Sequence, residues 1–528
     1  MSLQTYNSLG MKQIFELIEA PGEFLYEVKS HHLKRTKLKN NELRDSYARL
    51  QSLLDILAGN EAKLRNLRDL YAHIPKYEAT SASTHIFALH ELFLLKQYLY
   101  HYGRLRSYLR QEGHIDLFPL PDLSALFALL DPEGSGMPAF RLYPAYSIKL
   151  SDLLNERQSL SAKLQNARLH LLNEARSELQ IPELKEEFTF SRSNAPLAER
   201  LLHSRFYVLS SESVANYSFI LADDEYCLDL KKQLTQLCTK LEKEEERILK
   251  ELSHQVHKAL PELRDSQQIL MQGAWRFLLA DFALKYGCCL PKLVRKRSIR
   301  VKGAVNLPLK LHLEDSGRKY QSLDYDFDHA ISLLTGPNMG GKTTILKTLG
   351  QLCWMARLGI PLPCKTAELP ILDHIWYNQD DATSSADLSS FGREVVAFTE
   401  ALQQEGSTLF LLDEFARGTN PSEGELLASS VLRHLATTQH MCVAATHFTA
   451  PAMLEDLEQY SIAGLDADAP ALRAKLPLSP TQRLKALGEA MDYRLLRLKK
   501  HQAPPQSAVR VARILGLPEA ILRYLEEQ

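Results

Sequence analysis

The chain has 528 residues, of which 45% are hydrophobic and 24% are charged, and its formal net charge is −1. This composition excludes a disordered or fibrous chain, and the length is sufficient for two or three domains with sizeable cores. A net charge so close to zero also lacks the basic excess that proteins dedicated to nucleic-acid binding usually carry.

The N-terminal sequence and the cysteines bear on the compartment. Residues 1–6 contain no basic segment that leads into an apolar stretch, and no run of 18 apolar residues occurs in the chain. The seven cysteines are odd in number and lack the Cys-x-x-Cys or Cys/His spacing of a metal site. We therefore expect a cytoplasmic protein without membrane contact, whose cysteines are reduced and bind no metal.

The first 290 residues are predicted to be mainly helical, because apolar residues recur at helical spacing through most of this region. Three such helices are predicted at 43–57, 86–109 and 153–179. Apolar residues from Leu230 to Leu252 recur at intervals of three, four and seven. That spacing predicts a coiled-coil-like helix over 228–259, about 45 Å long. Strand-like segments at 206–209 and 217–220 predict a small insert between the long helices.

Two clusters of basic residues, at 31–39 and 292–300, are candidates for contacts with nucleic-acid phosphates. The alternative is that each cluster is a solvated charged face, as most such runs are. The sequence of these clusters leaves both interpretations open.

A glycine-rich segment directly after the apolar run 331–334 predicts a phosphate-binding loop. Its glycines let successive backbone N–H groups point at phosphate oxygens, and the helix that follows directs its positive end toward them. Lys342 is expected to reach the β- and γ-phosphates, and Thr343 to offer its hydroxyl to Mg²⁺. A plain glycine-rich turn is the alternative, which the strand–loop–helix context disfavours. The candidate binding residues are Gly336, Pro337, Asn338, Met339, Gly340, Gly341, Lys342, Thr343 and Thr344.

Acidic residues follow a second apolar run, 409–412. A buried strand of a nucleotide-binding sheet often delivers a carboxylate to Mg²⁺, and Asp413 is expected to take that role. Glu414 would then polarise the water that attacks the γ-phosphate. A third predicted strand, 441–446, ends at His447, which is either structural or a sensor of the γ-phosphate. The candidate catalytic residues are therefore Glu414, His447 and Lys342.

Several segments together resemble the ATPase domain of the MutS mismatch-repair family. They are the loop at 335–344 with its Pro-Asn-Met insert, Leu-Asp-Glu-Phe-Ala-Arg-Gly-Thr-Asn-Pro at 412–421, and Ala-Thr-His-Phe at 445–448. The resemblance implies a homodimer that binds and hydrolyses ATP with Mg²⁺. Ser-Ser-Phe-Gly-Arg-Glu at 389–394 is similar to the family's signature segment, so Ser389 is expected to complete the partner's site. The resemblance also suggests that Tyr320 stacks on adenine, with ordinary packing of this ring as the alternative.

The resemblance implies an α/β P-loop ATPase domain, ABC-like with a mostly parallel sheet, over 291–528. A mainly α-helical lever or arm domain at 1–290 would precede it, with a reduced clamp-like insert at about 188–228. The chain departs from the family pattern where Trp-Tyr-Asn-Gln at 376–379 replaces Arg-Ile-Gly-Ala. Segment 506–518 lacks the family's Ser-Tyr-Gly, and no counterpart of the N-terminal mismatch-reading domain is found.

Two functions are compatible with this reading of an ATP-driven switch. The first is a mismatch-repair or recombination-related clamp that contacts the backbone of mismatched or branched DNA without a mismatch wedge. The second is a chaperone-like factor that acts on a protein client, such as a cobalamin-dependent aminomutase that it reactivates. Family membership favours DNA. The near-neutral charge, the missing wedge domain and the reduced clamp favour a protein client.

Overall fold

The computed structural model describes residues 2–34, 38–78, 84–336, 341–378, 390–448, 451, 454, 457–465, 483, 487–488, 490–498, 508–518 and 520–522. Its contacts divide the chain into two compact units. The first unit contains residues 1–72, 116–118 and 270–528, and the second contains residues 73–115 and 119–269. None of the helices in the described part of the chain combines the length and the apolar composition that a membrane crossing requires.

The helices are concentrated in the first 290 residues, as predicted. In chain order they are α1 Leu3–Ser8, α2 Met11–Glu16, α3 Glu23–Leu33, α4 Asn40–Leu57, α5 Glu61–Ala72, α6 Leu89–Gln111, α7 Ser124–Leu129, α8 Ile148–Leu179, α9 Ala195–Leu202, α10 Glu225–Tyr286, α11 Leu307–Asp315, α12 Lys342–Arg357, α13 Ser390–Leu402, α14 Pro421–Ala436 and α15 Ala508–Leu515. Short 3-10 helices lie at Ile115–Leu117 and Pro144–Tyr146.

The strands lie mainly in the C-terminal half. In chain order they are β1 Glu187–Ser191, β2 Tyr207–Glu212, β3 Asn216–Leu221, β4 Lys292–Val294, β5 Ile299–Ala304, β6 Leu323–Phe327, β7 Ile331–Thr335, β8 Thr366–Pro370, β9 His374–Tyr377, β10 Thr408–Asp413, β11 Met441–Ala445, β12 Glu458–Leu465 and β13 Met491–Arg497.

The main sheet of the first unit is mostly parallel. Among the described residues it has six strands in the order β13-β12-β7-β11-β10-β9, and β13 alone runs antiparallel to its neighbour. Every residue of β7 and β11 is buried, which is why these strands read as continuous apolar runs. Their register aligns Asp413 with Ala445 and Ala445 with Leu334, so the carboxyl ends of β10, β11 and β7 share one edge.

Helices cover both faces of this sheet. Phe398 of α13 and Leu432 of α14 pack against one face, in a core that includes Phe410 of β10. Helix α12 lies on the opposite face, where Gly350 approaches Leu411 so closely that an added Cβ would be 2.7 Å from its Cδ1. The predicted α/β class of the C-terminal part is confirmed at this level.

A second sheet and the N-terminal helices complete the first unit. In the described ranges this sheet has four strands in the order β4-β8-β5-β6. The hydroxyl of Tyr47 in α4 donates to the carbonyl oxygens of Ala356 and Ile360, at 3.0 and 3.2 Å. Gln351 of α12 donates to the carbonyl oxygen of Leu9 at 2.7 Å. These buried contacts explain why residues 1–72 cluster with the main sheet, a division that differs from the predicted boundary at 290.

The second unit is helical, with a small antiparallel sheet at the position of the predicted insert. The described strands of this sheet are in the order β1-β3-β2, and Phe188 faces Phe219 across it. Its core includes Leu172 of α8 and Leu201 of α9. The role of this insert as a reduced clamp stays a prediction.

Helix α10 is longer than predicted. It has 62 residues, which at a rise of about 1.5 Å per residue corresponds to 93 Å. The predicted end near residue 259 is wrong, because buried apolar residues such as Leu263, Leu270 and Phe277 continue the helical pattern beyond it. Pro261 lies inside the helix. Each of the seven cysteines, all within the described ranges, is a free thiol.

Candidate functional site

The predicted phosphate loop joins β7 to α12. Gly336 follows the last buried residue of β7 with a φ of 138°, and Gly341 precedes α12 with a φ of 82°. Lys342 is the first residue of α12, and Thr343 and Thr344 belong to its first turn. Four predicted members of the loop lie outside the described residues, namely Pro337, Asn338, Met339 and Gly340.

Both described glycines of the loop are required by the backbone and by their neighbours. Their φ values lie in a region where a side chain is strained. A Cβ on Gly336 would lie 3.3 Å from the Cβ of Ile462, and a Cβ on Gly341 would lie 3.2 Å from Cδ1 of Tyr493. The positive φ values therefore favour glycine at both ends of the loop, and the neighbours in β12 and β13 leave little room for a side chain.

Strand β10 brings two carboxylates to the same edge of the sheet. Asp413 is its last residue, and the hydroxyl of Tyr377 donates to Oδ2 of Asp413 at 3.1 Å. Glu414 follows with a φ of 53°, which is uncommon for a residue other than glycine. Its N–H donates to the carbonyl oxygen of Ala445 at 2.9 Å. The chain therefore turns sharply after β10 while it stays bonded to β11.

Three of the predicted site residues meet beside the loop. The ammonium of Lys342 donates to the carbonyl oxygen of Gly336 at 2.9 Å and lies 3.2 Å from Nε2 of His447. The same nitrogen of His447 lies 3.1 Å from Oε1 of Glu414. The three side chains come from the start of α12, the turn after β10 and the segment after β11. They converge because the carboxyl ends of parallel strands share one edge.

Burial and the neighbouring charges shift the pKa values of Lys342 and His447 in this cluster. Burial lowers the pKa of Lys342, and the carboxylates of Glu414 and Asp413 oppose that shift. Burial also lowers the pKa of His447, as does the charge of Lys342, and Glu414 again opposes the shift. We therefore expect a neutral imidazole at neutral pH. Its Nε2 either accepts from Lys342 or donates to Glu414, according to the tautomer.

Thr343 and Asp413 are suitable ligands for Mg²⁺. This ion usually takes one or two oxygen ligands from the protein and completes its shell with water and phosphate oxygens. Thr343 is exposed on the first turn of α12, and Asp413 is partly exposed at the end of β10. Within the ranges that the structure describes, no group of three or more His, Cys, Asp or Glu side chains is arranged to hold a metal without a ligand.

Tyr320 and Ser389 are the other two residues that are predicted to contact the nucleotide. The hydroxyl of Tyr320 accepts a hydrogen bond from the backbone N–H of Asn306 at 2.8 Å, and burial raises the pKa of this tyrosine. That contact ties the tyrosine to the start of α11, and both stacking on adenine and ordinary packing stay open. Ser389 lies outside the described residues, immediately before α13.

Two residues beside the carboxylates were not predicted as part of the site. Oδ1 of Asn378 accepts from the N–H of Asp413 at 2.5 Å, and its amide nitrogen donates to Oε1 of Glu394 at 2.5 Å. Oε2 of Glu394 accepts from the N–H of Ala416 at 3.0 Å. A signal for both was available: Asn378 lies where the chain departs from the family pattern, and Glu394 is the last residue of the signature-like segment.

The basic cluster at 292–300 is largely paired with acidic side chains. Lys292 lies 2.7 Å from Glu368, and Arg300 lies 3.2 Å from Asp326. Exposed pairs of this kind contribute little to stability, but they reduce the positive charge that the surface offers to a phosphate. In the cluster at 31–39, three residues lie outside those that the structure describes. The pairing favours a solvated charged face for the second cluster.

The family profile of MutS domain V matches residues 332–528. Similar proteins include Endonuclease MutS2 of Caldanaerobacter subterraneus, 30% identical over 275 residues that cover 49% of this chain and 32% of that protein. The Brevibacillus brevis protein of the same name is 28% identical over 321 residues, 58% of this chain and 37% of that protein. The Solidesulfovibrio magneticus protein is 31% identical over 313 residues, 58% and 38% of the two chains.

The aligned part of the chain spans about a third of the length of these curated relatives. The profile match covers β7 from its second residue, the loop, α12 and every carboxylate of the cluster described above. Domain V is the ATPase domain of the family. Residues 332–528 thus match a MutS domain V, and the aligned part of the chain is similar to MutS2 proteins.

Proposed function

We propose that the chain binds ATP with Mg²⁺ and hydrolyses it at the carboxyl edge of the parallel sheet. The observation that carries this proposal is the convergence of Lys342, Glu414 and His447 beside the loop between β7 and α12. The neighbouring carboxylate, Asp413, ends β10. A lysine, a metal-binding acid and a second acid around a glycine-rich loop are the parts that hydrolysis of a nucleoside triphosphate needs.

Each residue has a separate task in this proposal. The buried ammonium of Lys342 binds the β- and γ-phosphates. Burial disfavours the charged form of this lysine, and the negative charge of the phosphates offsets that effect. Thr343 and Asp413 hold Mg²⁺, which when bound offsets phosphate charge. Glu414 accepts a proton from the attacking water. His447, which faces both Lys342 and Glu414, senses whether the γ-phosphate is present.

The proposed switch is a homodimer. In this arrangement Ser389 of one subunit contacts the ATP bound by the loop of the other, so that ATP closes the interface and its hydrolysis reopens it. Helix α13, which begins directly after Ser389, would move with the interface. Stacking of Tyr320 on the adenine belongs to the same proposal.

We propose DNA as the client, through backbone contacts with mismatched or branched duplex. The match to MutS domain V and the similarity to MutS2 proteins support this choice. The word endonuclease in the names of those relatives refers to chains about three times as long as the aligned segment, and the activity proposed here is ATP hydrolysis alone. A protein client is the second candidate, favoured by the net charge of −1 and by the ion pairs of the cluster at 292–300.

Nucleotide binding tests the site. We expect Lys342→Ala to lose most of its affinity for a fluorescent ATP analogue, because the ammonium meets phosphate in both the ground state and the transition state. Lys310→Ala is the matched control, since Lys310 lies on α11 in a partly exposed ion pair with Glu314. Equal affinity in Lys342→Ala and in the wild type would refute the assignment of the loop.

A further inference from the structure

The turn after β10 holds an unfavourable backbone conformation at two positions. Glu414 and Ala416 have φ values of 53° and 64°, in the left-handed region that residues other than glycine avoid. Such a conformation persists only where the surrounding structure fixes it, and it is frequent at functional sites. The groups that hold this turn therefore control where the proposed base, Glu414, is placed.

Asn378 is one of these groups. It follows β9, the neighbour of β10, and its side chain contacts both the N–H and the carbonyl oxygen of Asp413. Its Oδ1 accepts from the N–H of Asp413 at 2.5 Å, and its amide nitrogen lies 3.2 Å from the carbonyl oxygen of Asp413. The same amide nitrogen donates to Oε1 of Glu394 at 2.5 Å.

Glu394 is the second group. It lies in the second turn of α13, the helix that begins directly after Ser389. Its two carboxylate oxygens have different partners: Oε1 accepts from Asn378, and Oε2 accepts from the N–H of Ala416 at 3.0 Å. The carboxylate of Glu394 thus joins α13 to the backbone of Ala416, which follows Glu414 in the chain. Asn378 holds the backbone of Asp413, which precedes Glu414.

We propose that Asn378 and Glu394 form a positioning link, which transmits the position of α13 to the turn that carries Glu414. This role rests on the proposed ATP hydrolysis. Neither residue is a base or a metal ligand, so the link acts on turnover through the placement of Glu414.

The donor and acceptor roles in this link can be exchanged, which gives a sharp test. N378D alone places a carboxylate against Glu394. In E394Q alone, the introduced amide nitrogen can face the amide nitrogen of Asn378, which places two donors together. If the introduced amide flips instead, its nitrogen faces the N–H of Ala416 and that hydrogen bond is lost. In the double variant N378D/E394Q the pairing between positions 378 and 394 is restored in the opposite sense, because the introduced amide donates to the introduced carboxylate. The contact with the carbonyl oxygen of Asp413 is lost in N378D and in the double variant alike. E400Q, the same change at an exposed position of α13, is the matched control.

The experiment measures ATP turnover, ATP affinity and hydrogen exchange of the backbone at 408–417 for the wild type and the four variants. We expect each single variant of the link to lower kcat about tenfold or more, the scale of a small misplacement in an active site, with ATP affinity within about threefold. The double variant should turn over ATP faster, and exchange backbone hydrogens more slowly, than N378D, which lacks the same contact with Asp413. E400Q should match the wild type.

Separate results would overturn separate claims. Equal turnover in the wild type and all link variants would overturn the link and leave the proposed ATP hydrolysis in place. Single effects that simply add in the double variant would also overturn it, because the exchange of donor and acceptor would then have restored nothing. A folded wild-type protein without ATP turnover would overturn the proposed function and this role with it. If one single variant fails to fold, the double variant and the other single still decide the question.

Discussion

Replacement of Glu414 by glutamine separates hydrolysis from binding. In the folded protein Oε1 of Glu414 lies 3.1 Å from Nε2 of His447, and Oε2 accepts from Arg417. Glutamine has nearly the same size and retains an oxygen for one of these contacts, but it cannot take a proton from water. In the proposed site the loop backbone and the ammonium of Lys342 contact the phosphates directly, and Asp413 still supports the charge of Lys342, so ATP should still bind.

The size of the effect follows from the role assigned to Glu414. Loss of a general base usually slows a reaction by about 100-fold or more, which corresponds to about 2.7 kcal/mol in the activation barrier. Single-turnover hydrolysis of pre-bound ATP measures this barrier without the binding step, and titration of a fluorescent ATP analogue measures affinity. We expect a loss of at least about 100-fold in the first and a change within about threefold in the second.

A fully active Glu414→Gln protein would refute the assignment of Glu414 as the base. The nearest alternative would be His447, whose Nε2 lies 3.2 Å from Lys342 Nζ. In that case His447→Gln should lose turnover while Glu414→Gln keeps it. If Glu414 is the base, His447→Gln should retain the larger share of single-turnover activity.

The pKa of His447 lies below its ordinary value, so the unfolded chain binds a proton here more readily than the folded protein does. Stability present at neutral pH is therefore lost as pH falls below about 6.5 toward the folded-state pKa. His447→Gln should flatten that part of a plot of melting temperature against pH. Mixing Ser389→Ala with Lys342→Ala should restore part of the turnover, since each mixed dimer contains one intact composite site; stable mixed dimers without rescue would exclude action in trans. If DNA is the client, log affinity should fall linearly with log salt, by about 0.9 per phosphate contact, and no binding to linear, mismatched or branched DNA at low salt would indicate a protein client.

The parts of the fold that the sequence predicts are those with a strong local signal. Strands β7, β10 and β11 are buried on both faces, so their residues form continuous apolar runs that end in recognisable polar residues. Positive φ values and close neighbours restrict Gly336 and Gly341 to glycine, which is why the loop is visible as a motif. The convergence of Lys342 with the carboxylates then follows from the common edge of parallel strands.

The parts that escaped prediction depend on contacts between distant segments. The contact of Tyr47 with Ala356 joins α4 to the end of α12, and no local pattern indicates that the N-terminal helices pack there. The pairing of Asn378 with Glu394 depends on the placement of α13 beside β9, and each residue alone reads as an ordinary polar side chain. Helix α10 was predicted too short, although its apolar pattern continues past Pro261.

Release of phosphate from ATP by the purified chain, with and without Mg²⁺, tests the central claim most directly. We predict turnover that requires Mg²⁺ in the wild type and is lost in Asp413→Asn, because that change removes the carboxylate at the end of β10 while keeping an oxygen that Tyr377 can contact. Absence of hydrolysis by the folded wild-type protein, or equal rates with Asp413→Asn or without Mg²⁺, would contradict the account.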